Sequence, residues 1–534
     1  MLTINETGAT SFGAGAVSTL TSKITGVGSV VIPTTATGTL TLTATNDYTG
    51  GTTINGGKLA LAGGTFVGAI YGGDVAINAN GILGVNTTAN LVDDNPIPPM
   101  GANTTATALI NSGGTMSIDS NFDASVLVDP ASIGILALNT NNSSLSGTNG
   151  SSAFIGAYGP QTLSTMTLAP GAGGTYRLGG DGGTLTVTNG VLTGPTNNLI
   201  VGSTQPNGAG TVVLAAANTF GGGTTVNNGT LRTTADGALG SGGLAINAVA
   251  GANSTASIQS NETVSSLSSS VSGGGAATLS IAAGKTLTDN QAGNTTFAGT
   301  LNNSGTLTKS GAGTLEITAA PLLATGSALA VNGTGKLRFN VTSDSAFVGT
   351  GVVATVSDSA VLELAGTVSA LDQLVVKGRA DVMNNSNAAA GLLVTGQNQQ
   401  VGGINGLGTT QVNADAQLTA DHIVQSALVI GGSAGHPSLV TIDASDATGN
   451  PLASVASLSP SGTSASIGSF SSSSASGASM PTLGSGTNGI NAVGSSGISL
   501  VTGGAAAAVP EPSAIALALF ALAAAGFAIR RRVA

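Results

Sequence analysis

The chain has 534 residues, of which 7% are charged and 3% aromatic; 83 are glycine, and cysteine and tryptophan are absent. Without cysteine there is no disulfide, no thiol catalysis and no Cys-ligated zinc or iron–sulfur centre. The net charge is −10 with only 13 Lys and Arg, which argues against a nucleic-acid partner, because phosphate binding needs clustered cations. So few large side chains argue against a compact globular enzyme, whereas thin stacked β-layers can be built from small aliphatic residues.

In chain order, Met1-Leu2-Thr3-Ile4-Asn5-Glu6 lacks the basic and apolar regions of a signal peptide. The far end of the chain reads as an export tail, so the expectation is a miscalled or truncated start. Residues 1–402 then read as a repeat region. Residues 39–61 (TLTLTATNDYTGGTTINGGKLAL) and 211–233 (TVVLAAANTFGGGTTVNNGTLRT) align without a gap. They share Asn46 with Asn218, Gly51 with Gly223, Asn55 with Asn227, Gly57 with Gly229 and Leu59 with Leu231, while Tyr48 is matched by Phe220. Thr-Leu-Thr-Leu and Thr-Thr-Ile-Asn alternate as half-buried strands do. Gly-Gly and Asn-Gly mark the turns. One such unit is expected to form a wall and corner of a coil. Leu42, Ile54, Leu59, Leu214, Val226 and Leu231 should point inside, Tyr48 or Phe220 should plug the corner, and asparagines at equivalent corners should stack into ladders.

Residues 39–61, 211–247 and 305–318 (GTLTKSGAGTLEIT in part) carry a pattern that resembles the autotransporter-associated β-strand repeat. The resemblance implies a right-handed parallel β-helix on a surface protein. The 305–318 copy lacks the Asn-Thr-Tyr half of the pattern. Between copies, residues 95–99 (NPIPP), 139–149 and 195–206 read as loops leaving the coil, and the Ser-rich residues 260–275 as less regular. Strand-like runs return at 335–341, 352–356, 360–364 and 374–377. Residues 403–453 read as a terminal module that closes the open edge of the coil. Residues 454–508, rich in Ser, Gly and Ala, read as a flexible linker.

The tail, 509–534, has three parts: Val509-Pro510-Glu511-Pro512-Ser513, an apolar run from Ala514 to Ile529, and Arg530-Arg531-Arg532. The run gives about 24 Å of helix, near the roughly 30 Å of a hydrocarbon core. A transmembrane helix over 514–529 is therefore expected, with the arginines as a cytoplasmic stop and everything before residue 509 outside. The order and terminal position of these parts resemble the PEP-CTERM sorting signal. That resemblance implies recognition of Val509, Pro510, Glu511 and Pro512 by an exosortase, a membrane-embedded cysteine protease, followed by surface or extracellular display. It also implies association with exopolysaccharide or biofilm matrix.

Chemistry is sparse. His422 follows Asp421, but strand neighbours point to opposite faces, and His436 has no evident third partner for a metal. The carboxylate pairs Asp93-Asp94, Asp119 with Asp123, and Asp443 with Asp446 show no Lys or Arg at a one-face spacing, and read as turn carboxylates rather than glycosidase pairs. Gly179-Gly180-Asp181-Gly182-Gly183-Thr184-Leu185 resembles half of a calcium-binding nonapeptide. Thr184 stands where a second Asp is needed, so no metal or cofactor is expected. The reading is an all-β solenoid with a linker and one C-terminal helix: a non-enzymatic exported matrix protein. The alternatives are an adhesin-like glycan binder and, third, a polysaccharide-degrading β-helix enzyme. Three carboxylates and a cation in one groove would favour the enzyme. A groove of Tyr, Asn and Thr would favour binding.

Overall fold

The computed structural model describes residues 2–4, 9–11, 17–62, 70–71, 74–93, 104–249, 251–342, 347–367, 379–432, 436 and 438–442, with the backbones of 456–461, 464–467, 490–492 and 498–502. Among the described residues the chain is all-β and built of parallel solenoid turns, in two units, Met1–Leu279 and Ser280–Ala534. Among the described residues the helical elements are two short 3-10 turns, Thr88–Asn90 and Ser125–Leu127.

In the first unit the repeat shows how sequence becomes a coil. Residues 39–61 form strands Thr39–Leu42, Asp47–Tyr48, Thr52–Ile54 and Lys58–Leu61. Thr39 is in parallel register with Lys58, and Thr211 with Thr230, so each copy returns to its own sheet after 19 residues. The unit is thus a whole turn, not the wall and corner expected. Stacking places Leu40 beside Leu59 and Val212 beside Leu231. Leu42, Ile54, Leu59, Leu214, Val226 and Leu231 are all buried, as are Tyr48 and Phe220. The Tyr48 and Thr52 hydroxyls lie 2.5 Å apart and share a hydrogen bond, so burial does not strand the phenol.

The shared polar residues have equally specific duties. Asn46 Oδ1 accepts from Ile24 N at 2.9 Å and Asn218 Oδ1 from Leu192 N at 3.2 Å, each stapling its turn to the preceding one. Their amides donate to Ala44 O and Ala216 O. Gly57 and Gly229 sit at φ +57° and +77°, and a Cβ there would meet the carbonyl oxygens of Gly38 at 2.7 Å and Gly210 at 2.2 Å. Glycine is required at these corners by both conformation and space. The asparagine ladder forms: Asn111 Nδ2 donates to Asn78 Oδ1 at 2.7 Å, and Asn78 Nδ2 to Asn55 Oδ1 at 2.8 Å.

Two irregular stretches are corrected. Within 195–206, Asn198–Val201 is a ladder strand paired with Thr175–Leu178. Within 260–275, Glu262–Val264 and Leu267–Val271 are strands, the latter paired with Leu244–Ala248. Leu267 is buried, Ser268 and Ser269 are half-buried and Ser270 is exposed, with Ser269 in register beside the buried Ile246, so the strand pattern is carried by few apolar residues. Residues 139–149 do leave the sheets, touching them through the bridge Asn142↔Leu163. Residues 95–99 lie outside the described residues.

In the second unit the same logic holds with turns of varying length: Thr306 pairs with Ala328 after 22 residues, Lys336 with Val361 after 25 and Thr409 with Ala427 after 18. Residues 403–442 continue the parallel ladder, with Gly403 beside His422 and Leu418 beside Val440. Leu439–Ile442 then takes an antiparallel neighbour, Ala456–Ser461. Among the described residues no helix is long and apolar enough to cross a membrane. The expected helix 514–529, with Val509–Pro512 and Arg530–Arg532, lies outside the described residues.

Candidate functional site

The two histidines stay apart from any catalytic arrangement. His422 Nε2 is 3.1 Å from Asn405 Oδ1, and its ring covers Gly403. Asp421 instead pairs with Arg379 at 2.8 Å. His436 Nδ1 lies 2.9 Å from Asp415 Oδ2 on an exposed turn. Among the described residues no three His, Cys, Asp or Glu converge on a metal position.

The carboxylate pairs also separate. Asp119 accepts from Ser117 Oγ at 2.6 Å and Asn139 Nδ2 at 3.0 Å, and pairs with Lys58 at 2.8 Å. The expectation of no cationic neighbour is therefore overturned for Asp119. Lys58 reaches it across one intervening turn, over Gly84, where a Cβ would meet Lys58 Cε at 2.5 Å. Burial works to raise Asp123, but hydrogen bonds from Ser146 and Ser125 outweigh it and hold its carboxyl below the usual range. The side chains of Asp93, Asp94, Asp443 and Asp446 lie outside the described residues.

A cleft of about 460 Å³ opens in the first unit. Asn80, Thr115, Tyr158, Asp181 and Asn207 contribute its polar wall. Three of these, Asn80, Asp181 and Asn207, adopt φ of +65°, +55° and +61°, the left-handed region that Asn and Asp tolerate best among non-glycine residues. Each is followed by glycine, at Gly81, Gly182 and Gly208. Thr115 Oγ1 donates to the Asp181 carboxylate at 3.1 and 3.3 Å. Burial pushes the Asp181 carboxyl up to about 6, with the Thr115 bond opposing. Burial, with Asp181 nearby, also raises the Tyr158 phenol. Tyr158 Oη is buried and makes no hydrogen bond of good geometry, although Thr115 lies near enough to lower its pKa against these effects. Its ring packs on the outer cluster of Ile135, Ala137 and Phe154. Gln205 anchors the loop alongside, donating to Ile133 O at 2.6 Å and accepting from Gly113 N at 3.2 Å.

In the second unit a groove of about 330 Å³ is lined by Thr296, Thr314, Glu316, Lys336, Arg338 and Glu363, among others. Its charges are spent on each other. Lys336 pairs with Glu363 at 2.5 Å, and Arg338 bridges Glu316 at 3.2 Å and Glu363 at 3.3 Å. Two carboxylates matched by two cations form a cross-turn ladder and fall short of the three-carboxylate groove that would favour an enzyme. Of these two sites, sequence reading reached Asp181 alone, through its glycine-rich setting.

Comparison with known proteins identifies two elements. The PEP-CTERM protein-sorting motif matches residues 508–532. The passenger-associated-transport-repeat matches residues 37–61 and 207–232, the two copies recognised in the sequence. Among curated proteins the chain is similar to the adhesin BmaC autotransporter of Brucella suis biovar 1 (strain 1330), 26% identical over 409 residues. The match covers 68% of this chain and 11% of that protein. No solved structure matches the chain. The tail motif and the repeats together support an exported surface repeat protein of the cell envelope.

Proposed function

We propose that this chain is a non-enzymatic surface protein whose right-handed solenoid body is held in an exopolysaccharide or biofilm matrix. Its tail is read by an exosortase-type membrane protease. The observation that carries the reading is the coincidence of a sorting motif over 508–532 with a repeat solenoid. In this scheme 514–529 spans the membrane, Arg530–Arg532 remain cytoplasmic, 403–453 closes the solenoid and 454–508 tethers it. Proline at 510 and 512 keeps the recognition segment extended, the form in which proteases take substrates. The test replaces Pro510, Glu511 and Pro512 together by alanine, in a host that has the exosortase. The variant should still insert but remain untrimmed by intact mass and stay with the membrane fraction. Trimming and release like the parent would reduce the tail to a plain anchor.

A second reading, adhesin-like glycan binding, is favoured by the cleft of Tyr, Asn and Thr in the first unit and by the similarity to an adhesin. The polysaccharide-degrading alternative loses support because the carboxylates of the second-unit groove are neutralised by cations.

A further inference from the structure

The first-unit cleft has the attributes of a built binding site. Its size falls within the range of small-molecule sites. Tyr158 carries a buried hydroxyl with no hydrogen bond of good geometry, its neighbour Thr115 being engaged with Asp181, so an incoming hydroxyl can supply the missing bond. Asp181 uses its carboxylate on one protein donor, Thr115, although an ionised carboxylate has about four acceptor positions. Asn80 and Asn207 add amides that both donate and accept. The Tyr158 ring, fixed against Ile135 and Phe154, and Ile82 supply the apolar part of the lining. Three turns held at left-handed φ aim Asn80, Asp181 and Asn207 at one space.

The charge pattern narrows the ligand. No Lys or Arg is among the lining residues, and Asp181 is their single carboxylate. Lys58 is held by Asp119. An anionic sugar, a phosphate or a sulfate would meet a carboxylate with no compensating cation. The lining offers a metal ion no second carboxylate. What remains is an uncharged molecule dense in hydroxyls with one apolar face. We propose that the cleft between Tyr158 and Asp181 binds a segment of neutral oligosaccharide, with Asp181 accepting from paired sugar hydroxyls and Tyr158 Oη joining a third. The proposal rests on the glycan-binding reading and gives it a place.

The experiment measures binding of the full chain, by calorimetry at pH 7.5, to cello-, malto-, laminari- and xylohexaose, with a galacturonate hexamer as the charged comparator. The variants are Tyr158→Phe, which removes one hydroxyl, and Asp181→Asn, which keeps size and one acceptor. Far-UV spectra confirm that each variant folds. At least one neutral hexasaccharide should bind, with affinity reduced roughly three- to tenfold by Tyr158→Phe and roughly tenfold or more by Asp181→Asn. Galacturonate should bind more weakly than the neutral chains. If the parent binds a neutral hexasaccharide and both variants match it, the site is wrong while glycan binding stands. If galacturonate binds as well as the neutral chains, the ligand class is wrong. If no neutral chain binds, the site and the glycan-binding reading both fall, and the sorting experiment above remains unaffected.

Discussion

Both units bury polar side chains, and two sets of them do so in different ways. In the first, three inward side chains are held mainly by backbone. Asn46 and Asn218 staple neighbouring turns, and Glu262, 2% exposed, accepts from Ala238 N, Leu239 N and Ser260 Oγ. In the second, Asp289 and Lys309 stand side by side in register, both fully buried. Both Asp289 oxygens lack a hydrogen-bond partner. Burial pushes the Asp289 carboxyl up to about 7, against the attraction of Lys309, and burial lowers the Lys309 amine. The difference teaches that a solenoid interior tolerates polar groups on two terms: capture by hydrogen bonds, or a pKa moved toward the neutral form.

The strongest way to break the comparison is to empty the first unit's corner. Phe220→Ala should cost about 3–5 kcal/mol, read as a shift in the denaturant midpoint, because Phe220 is fully buried where Tyr48 sits in the other copy. A loss below 1 kcal/mol would show that the corner is not packed as described.

The second unit is tested through its buried pair. Removing Lys309 alone, as Lys309→Met, should destabilise, and more at pH 8 than at pH 5, because Asp289 then ionises without its neighbour. Replacing both, as Asp289→Leu with Lys309→Met, should be neutral or stabilising by roughly 1–4 kcal/mol. The sign for Asp289 follows from its raised folded pKa. Its stabilisation is fully present below the unfolded value of 3.8 and is lost as pH rises towards about 7. The double variant should reduce that slope in thermal melts, leaving the part that Asp181 contributes, and an unchanged slope would place its origin elsewhere. The smallest effect is expected at Lys23, whose 2.5 Å pair with Asp47 has both side chains about two-fifths exposed. Lys23→Gln should cost under about 1 kcal/mol, and a larger loss in the denaturant midpoint would show the pair to be structural.

Much of the coil was legible because its signals are local. Alternation in Thr39–Leu42 named the inward Leu42, and recurrence of Asn55 and Asn227 suggested the ladder that Asn55, Asn78 and Asn111 form. What escaped was register. Nothing in 39–61 says that Lys58 lands beside Thr39. The same gap hid the cleft: Thr115 bonds Asp181 across 66 residues, and Tyr158 meets them only when turns stack. The Asn80-Gly81, Asp181-Gly182 and Asn207-Gly208 steps did announce tight corners, but not that the corners share a wall. In 260–275, serine at both outward and inward register positions masked a strand whose buried apolar residue is Leu267.

The asparagine ladder also bears on how the protein ages. Its amides run head to tail, Asn111 to Asn78 to Asn55, and Asn55 is the member followed by glycine, the sequence in which side-chain amides hydrolyse most readily. Conversion of Asn55 to aspartate would leave intact the acceptor that Asn78 uses, whereas the same change at Asn78 would delete the donor that ties the row together. The chemically fragile step thus occupies the position where damage costs the ladder least. Peptide mapping of aged protein should find the one-dalton gain at Asn55 without loss of the folded spectrum.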